Sequence, residues 1–509
     1  MSNQKITWCL IAFYIAVSFF AGCYPKDSLQ WSADGSTGIY SKNSALFIVD
    51  GNTGSLTQIA TKETTTPWPA ISSDGSHFAY GTIVKVDDFN RALNHLPPDQ
   101  VKVIKANAEI LKQKILVEGI KDSNFPFIGK PVTTDGGQKD SFNDQHIAWV
   151  QRYLVENIDK QLAEKIGPEL IKKVKEKDLN FFQLVLAPTA DPNDRKTLTT
   201  SSQQLWRIRF SPDSRLIAYG TERINGSTWD VGYDLYIVSP AENIPPAFLA
   251  PAAAIGYAFK PDSRAIAYLK PEDEFFDTQK PALGSLVERT IIDPNGRILA
   301  APALSRVEGP AKLDGNDSPA IYVCTGAATE LAGVLYRPWM HVSYACDSDN
   351  RILFASVKMT LPSGRSDEEK QNIFCYDTLT GAVSEIMPQG VLDFSQGNLY
   401  LFALSHDSRK ILLHGKKNTL ILLSNNPKVL IDDNEGFPEA KKGENPPLNL
   451  VAQWKGPDLI SCLVSEKSHY LTDDPNIPAR RKEIVIIDAD GNLKQILSKN
   501  WPDELLKYD

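Results

Sequence analysis

The sequence predicts an all-β chain folded as a seven-bladed β-propeller of four-stranded antiparallel blades, with a helical insertion in blade two. Three observations predict it. A strand–turn–strand phrase recurs along the chain. A second hairpin follows each copy. The long stretches that do not repeat fall mostly between the two hairpins.

The phrase reads FSPDSRLIAYG at 210–220 and FKPDSRAIAYL at 259–269. Looser copies are WSADGSTGIYS (31–41), ISSDGSHFAYG (71–81), CDSDNRILFAS (346–356) and LSHDSRKILLH (404–414), with a worn copy, WKGPDLISC, at 454–462. In the clearer copies an apolar residue (Trp31, Ile71, Phe210, Phe259) ends one strand, a Pro-Asp-Ser or Ser-Asp-Gly cluster turns the chain, and an Ile/Ala/Tyr-rich strand returns. Pro212 and Pro261 preset φ, and the neighbouring Asp can bond nearby backbone, so turn geometry explains these Asp residues without metal or catalysis. Gly35 and Gly75 suit a left-handed corner, where other copies carry Ser or Asn.

The second hairpins are 45–59, 181–199, 234–250, 320–334, 372–386, 419–431 and 483–497. Two hairpins, strands a to d, make one blade. The repeat resembles the Pro-Asp propeller repeats of the TolB-like family, over nearly the whole chain after its leader. The resemblance implies a propeller. It implies no single function, because such repeats occur in binding proteins and beside enzymes alike. TolB-type proteins carry a separate α/β domain before the propeller, whereas here the first blade begins almost at once after the leader.

Residues 1–22 read as a lipoprotein signal peptide. Lys5 precedes an apolar run from Ile6 to Phe20, then Ala21-Gly22-Cys23. The ending resembles a bacterial lipobox with Phe20 where Leu is usual, which implies cleavage before Cys23 and lipid attachment to it. Several acyl chains hold a protein durably at a membrane. An uncleaved signal anchor is the other reading, since a span needs about 20 apolar residues. Lipid attachment explains the cysteine directly after Ala-Gly, and an anchor does not. Tyr24, rather than Asp, follows it, which in Gram-negative lipoproteins implies the periplasmic face of the outer membrane. The propeller is assigned to 23–499 and a C-terminal tail to 500–509.

The chain has 509 residues, 42% hydrophobic and 23% charged, enough for a full core. A formal charge of −8 with no long Lys/Arg run argues against nucleic acid as partner. Of the six cysteines, Cys9 leaves with the leader and Cys23 takes lipid. An exported compartment permits disulfides among Cys324, Cys346, Cys375 and Cys462, but three of these fall inside strands of different blades, favouring buried free thiols. No CxxC spacing supports zinc or redox chemistry.

Insertions concentrate between strands b and c: 82–180 in blade two, 270–319 in blade four, and shorter ones at 221–233, 357–371 and 464–482. Alternating strands send all b–c loops to one face, and insertions in repeat folds collect on the binding face. Within 82–180, Val101, Ile104, Ala108, Leu111 and Ile115 mark one helix. Ile147, Val150, Leu154, Ile158, Leu162 and Ile166 mark a second, and 169–177 forms a third. They form either a partner-docking arm or a cap packed on the propeller. Within 270–319 a hairpin is expected, SLVERTIID with GRILAAPAL, turning at Pro294-Asn295-Gly296. The nearby Glu272, Asp273, Glu274 and Asp277 lack the spacing and glycine of an EF-type loop.

No G-x-S-x-G elbow, HExxH, phosphate loop or dinucleotide fingerprint occurs, so no catalytic residue, metal ligand or cofactor is assigned. Of seven histidines, His341 and His414 fall toward the elaborated face, without carboxylates to complete a metal site. Trp68, Trp206 and Trp339 precede their turns by a few residues, with Arg207, Arg209, Arg337 and His341 nearby. Trp with Arg suits a carbohydrate or a peptide terminus, unless the tryptophans wedge between blades. The expected function is a lipid-anchored, non-catalytic binding or assembly module of the bacterial envelope. Its partner would be an envelope protein, peptidoglycan or polysaccharide. The alternative is a polysaccharide lyase or hydrolase with a channel site.

Overall fold

The computed structural model describes residues 28–506 except 43, 60–63, 66–67, 120–142, 225–230, 242–245, 251–255, 272–281, 300–301, 304–322, 325, 337–341, 346–349, 358–370, 387–401, 405–409, 415–419, 424–427, 432–447 and 466–481. The architecture is an all-β propeller. Six sheets are four-stranded and antiparallel, each taken in chain order from its innermost strand outward. The first is Ser28–Trp31, Thr37–Lys42, Ala45–Asp50 and Leu56–Ile59. The 205–250 sheet is Leu205–Phe210, Ile217–Ile224, Val231–Val238 and Ala247–Ala250. The 257–336 sheet is Tyr257–Phe259, Ala265–Pro271, Ala282–Thr290 and Ala328–Tyr336. The 342–385 sheet is Val342–Ala345, Arg351–Val357, Gln371–Asp377 and Val383–Glu385. The 402–431 sheet is Phe402–Leu404, Ile411–His414, Leu420–Leu423 and Lys428–Ile431. The last is Leu448–Lys455, Leu459–Ser465, Lys482–Asp488 and Leu493–Ile496.

The expectation of seven four-stranded blades is therefore corrected to six. The sheet at 64–201 has five strands, because two short ones, Thr64–Thr65 and Ala70–Ile71, share the innermost position against His77–Lys85. The sequence Pro67-Trp68-Pro69 lies between them. Two prolines remove two backbone donors, so the inner ladder cannot run through. The sheet continues with Asn180–Pro188 and Lys196–Ser201.

The turn phrase folds for the reason its residues suggest. Ser32 and Ser72 donate their hydroxyls to Asp34 and Asp74 at 2.7 and 2.6 Å. Those carboxylates also accept from the Ser36 and Ser76 amides at 2.9 and 3.0 Å. Ser211 and Asp213 repeat the pair at 2.6 Å. Gly35, Gly75, Ser214 and Ser263 all stand at positive φ, so the corner is one backbone shape tolerated by two residue types. Neighbouring turns are stitched together: the Ala33 amide donates to Ser73 O at 2.9 Å, and the Asp213 amide to Ser263 Oγ at 3.0 Å.

Apolar clusters fill the seams between sheets. Ile39, Leu46 and Ile59 meet Phe78, Tyr80 and Val185 across one seam, and Leu235, Ile237 and Leu249 meet Tyr257, Ile266 and Tyr268 across another. Among the described residues the ring closes without strand exchange. After Leu493–Ile496 a 3₁₀ turn (Leu497–Asn500) and a short helix (Asp503–Leu506) leave the last sheet and lie against the first. Trp501 Nε1 donates to Gly54 O at 2.7 Å, and Lys42 Nζ donates to Leu505 O at 2.9 Å. Leu497, Trp501 and Leu506 share one cluster with Leu29, Trp31, Tyr40 and Phe47 from the first sheet and Leu463, Ile484 and Ile486 from the last. At the same seam the Lys455 ammonium lies 5.3 Å from the centroid of the Trp31 ring. Burial pushes its pKa down, and Asp34 and Asp50 oppose that shift.

The helical insertion is also redrawn. The helices belong to no blade but occupy the loop region between Lys85 and Asn180, which are paired across the sheet. They are α1 (Phe89–His95), α2 (Pro98–Glu118), α3 (Asn143–Glu156), α4 (Lys160–Ile166) and α5 (Pro168–Glu176). The stripe expected as one helix through Ile166 breaks at 157–159. There Asp159 caps α4 by accepting from the Leu162 amide at 2.9 Å. Gly167-Pro168 ends α4 and starts α5.

The hairpin expected within 270–319 forms only at its tip, where Ile292 bridges Ile298 across Pro294-Asn295-Gly296 and the Asp293 amide donates to Arg297 O at 2.9 Å. Ala282–Thr290 is itself the third strand of its sheet, the place expected for the 320–324 stretch, and the fourth, Ala328–Tyr336, falls largely within the second hairpin expected at 320–334. Pro302–Ala303 pairs instead with Val323–Cys324 in a separate two-stranded ribbon. That excursion therefore leaves from the rim opposite the b–c loops.

Candidate functional site

The helical unit is fixed to the five-stranded sheet by a buried polar lock and an apolar plug. Gln100 Nε2 donates to Ser201 Oγ at 3.1 Å, and its Oε1 accepts from the Ser202 amide at 2.9 Å. Trp149 is fully buried. It packs with Phe89, Ala92, Leu96, Ile104 and Leu179 and donates Nε1 to Asn180 O at 2.8 Å. A second cluster joins Ala108, Leu111 and Ile115 of α2 to Val150 and Leu154 of α3, Leu162 and Ile166 of α4 and Val174 of α5. The stripes thus pack on one another and on the sheet, as a cap does.

Beside this unit, the sequence-derived ligand residues divide. Trp68 and Trp206 come together as a stack, with centroids 4.5 Å apart at 30°. They bridge two sheets, and Trp206 also packs against the cluster shared by the 205–250 and 257–336 sheets. Arg209 is built into the fold. Its Nη1 donates to Tyr257 O at 3.0 Å, and its guanidinium lies 5.3 Å from the Tyr257 ring centroid. Burial pushes Arg209 below the ordinary arginine value, and the Arg207 charge pushes the same way, against the opposing influence of Tyr257. An arginine starts so high that it keeps its proton. Arg337, Trp339 and His341 lie outside the described residues, as do Cys23, the 272–277 acidic cluster and Cys346.

Arg207 stands apart. Its φ is 48°, a left-handed conformation that is uncommon for a bulky residue. The pairing of Leu205–Phe210 with Ile217–Ile224 shifts register between Trp206 and Arg209: Trp206 faces Gly220 and Arg209 faces Ala218. Three steps on one strand meet two on the other, so the strand carries a β-bulge. Tyr257 locks it from the next sheet by donating its hydroxyl to Arg207 O and, at 3.1 Å, to Ala218 O. Burial holds the Tyr257 phenol well above its usual pKa, so it stays a donor at any physiological pH. The sequence marked Arg207 as one basic residue among several. Nothing in it announced the bulge, because the partner register that defines a bulge is a long-range fact.

Cys375 and Cys462 are buried free thiols, and burial pushes Cys462 far above the usual thiol range. Cys324 lies in a strand. Among the described residues no group of three or more His, Cys, Asp or Glu side chains is placed to hold a metal ion. Nor is any helix among them long and apolar enough to cross a membrane.

No protein-family model matches the chain, and no curated protein matches it. Solved structures do. TolB from Acinetobacter baumannii is 14% identical, with 61% of this chain and 58% of that one covered, at a TM-score of 0.35. The chain therefore spans less than two thirds of that protein. An oligogalacturonate lyase from Vibrio parahaemolyticus is 11% identical over 79% of this chain and 76% of its own, at 0.39. Dipeptidyl peptidase 4 from Porphyromonas gingivalis is 11% identical over 86% of this chain and 50% of its own, at 0.35. A TolB protein, a lyase and a peptidase stand side by side in this set. At these identities and scores the likenesses carry no inference about what this chain binds or does.

Proposed function

We propose that this chain is a non-catalytic binding or assembly module of the bacterial cell envelope, lipid-anchored through Cys23, which engages an envelope protein, peptidoglycan or polysaccharide through its loop-bearing rim. One observation carries the reading. The largest loop structure, the α1–α5 unit, is clamped to the sheet by buried Gln100 and Trp149. Loops held on a rigid scaffold are where recognition concentrates. The opposite rim is mostly short turns tied to each other, although the 291–327 connection also leaves there.

The test uses the full chain in a Gram-negative host. Mass spectrometry of the mature amino terminus reads the anchor, and an unmodified Cys23 overturns it. Crosslinked envelopes are then probed with wild type and with a variant in which 86–179 is replaced by an Asn-Gly turn, joining strands that are already neighbours at Lys85 and Asn180. Loss of a stoichiometric partner or of glycan retention in the variant supports the proposal. Equal capture by both proteins overturns the role of the rim. Depolymerisation of a polysaccharide by the purified protein overturns the non-catalytic reading in favour of the lyase or hydrolase alternative.

A further inference from the structure

We propose that Arg207 heads a carboxylate-binding site on the free edge of the innermost strand Leu205–Phe210, beside the Trp68–Trp206 stack, and that it takes an acidic sugar of the uronic-acid class. This deepens the binding reading above and rests on it.

The first argument is the strand count. Leu205 and Ile208 are buried in the seam toward the five-stranded sheet, and Phe210 packs against the same cluster. Arg209 is committed to Tyr257 on the neighbouring sheet. Arg207 lies within the bulge between Trp206 and Arg209, half-buried and close enough to Arg209 for its charge to be felt there. Bulges re-aim a side chain in this way, and an innermost strand has only its inner edge unpaired.

The second argument is strain with a lock. A bulky residue held at positive φ persists only where the surroundings over-determine it, and such positions gather at ligand sites. Here a buried tyrosine from another sheet holds the Arg207 carbonyl, while its guanidinium makes no hydrogen bond or ion pair among the described residues.

The third argument is charge. Arg207 and Arg209 are both half-buried, and neither pairs with a carboxylate among the described residues, in a chain whose net charge is −8. A partly desolvated guanidinium at Arg207 with no counter-charge among the described residues, next to the positive charge of Arg209, calls for an anion, and the planar fork of arginine suits a carboxylate. The stacked indoles next to it favour an anion carried on a sugar ring over a bare ion.

The experiment titrates the full chain with a glucuronate-containing oligosaccharide, following tryptophan fluorescence and calorimetry. The comparison ligands are the same oligosaccharide with its carboxylates reduced to alcohols, and a short peptide with a free carboxyl terminus. Arg207→Gly keeps the left-handed corner while removing the charge, and Arg207→Gln removes the charge alone. Binding of the acidic sugar, weakened at least tenfold by either substitution and by carboxyl reduction, supports the proposal. The reduced-ligand arm uses wild-type protein, so it decides the matter even if a variant fails to fold. Equal binding of the reduced sugar, no loss in Arg207→Gly, preference for the peptide, or no binding at all each overturns it. If the sugar does not bind but the α1–α5 unit still captures its envelope partner, only this site falls. If capture also fails, the wider reading falls with it.

Discussion

Removing the Trp501 side chain should loosen the ring at one seam. Trp501 is 6% exposed, so Trp501→Ala returns almost a whole indole's burial to water and leaves a hole between the first and last sheets. It also deletes the 2.7 Å bond to Gly54 O and the ring contact with Tyr40, whose centroid is 5.1 Å away. Truncations of this kind cost about 3–5 kcal/mol, and one such hydrogen bond about 1 kcal/mol of that. Trp501→Phe keeps most of the packing and loses the bond, so it should cost about 1–2 kcal/mol. Urea unfolding gives the magnitudes, and amide hydrogen exchange gives the location. Faster exchange should begin in Ser28–Trp31 and Leu448–Lys455, while Arg351–Val357, on another part of the ring, stays protected. A loss under about 1 kcal/mol for the alanine variant, or acceleration spread evenly over all sheets, would refute the C-terminal clasp as the element that closes the ring.

Three further outcomes are expected. Gln100→Ala removes the bonds to Ser201 and Ser202 and leaves their polar groups buried, at about 1–3 kcal/mol. Limited proteolysis should then cut within α1–α5 sooner while the sheets stay intact, and an unchanged cleavage pattern would count against the lock. Gly51→Ala places a methyl 2.0 Å from Gly35 O, a contact with backbone that cannot swing aside, so its thermal midpoint should fall by several degrees. The Asp74 carboxyl is held down at about 2 by the Ser72 hydroxyl and by the Ser76 amide and hydroxyl. Its pKa is depressed on folding, so its contribution is present above the unfolded value near 3.8 and is lost as pH falls toward 2. The group is solvent-exposed, so the contribution is at most about 1 kcal/mol. Asp74→Asn should flatten the acid limb of the stability curve between those values, and an unchanged limb would contradict the assignment.

Much of this was legible in the residues because the determining interactions are local. A Ser-x-Asp turn bonds within five residues, so Ser32-Asp34 and Ser72-Asp74 announced their corners directly. The apolar stripes of α2 and α3 announced a packed helical unit for the same reason. Other features needed a partner from far along the chain. Pro67-Trp68-Pro69 was visible, but its effect, an inner strand split in two, appears only against Phe78–Ile83. Ala282–Thr290 looked like an inserted hairpin arm, since apolar alternation marks a strand and not which neighbour it joins.

The candidate site shows the same division. The sequence by itself determined that a turn-rich repeat would build four-stranded sheets, and it placed Trp206, Arg207 and Arg209 together on the strand Leu205–Phe210 that leads into its turn. Only the tertiary structure decided that Trp68 stacks on Trp206, that Arg209 is consumed by Tyr257, and that a bulge frees Arg207. It also decided that Trp501 seals the ring 447 residues away from the glycine it contacts. Local chemistry writes each turn and strand. Which strand edges, rings and charges face one another depends on how the sheets stack around the axis, and no short stretch of chain holds that information.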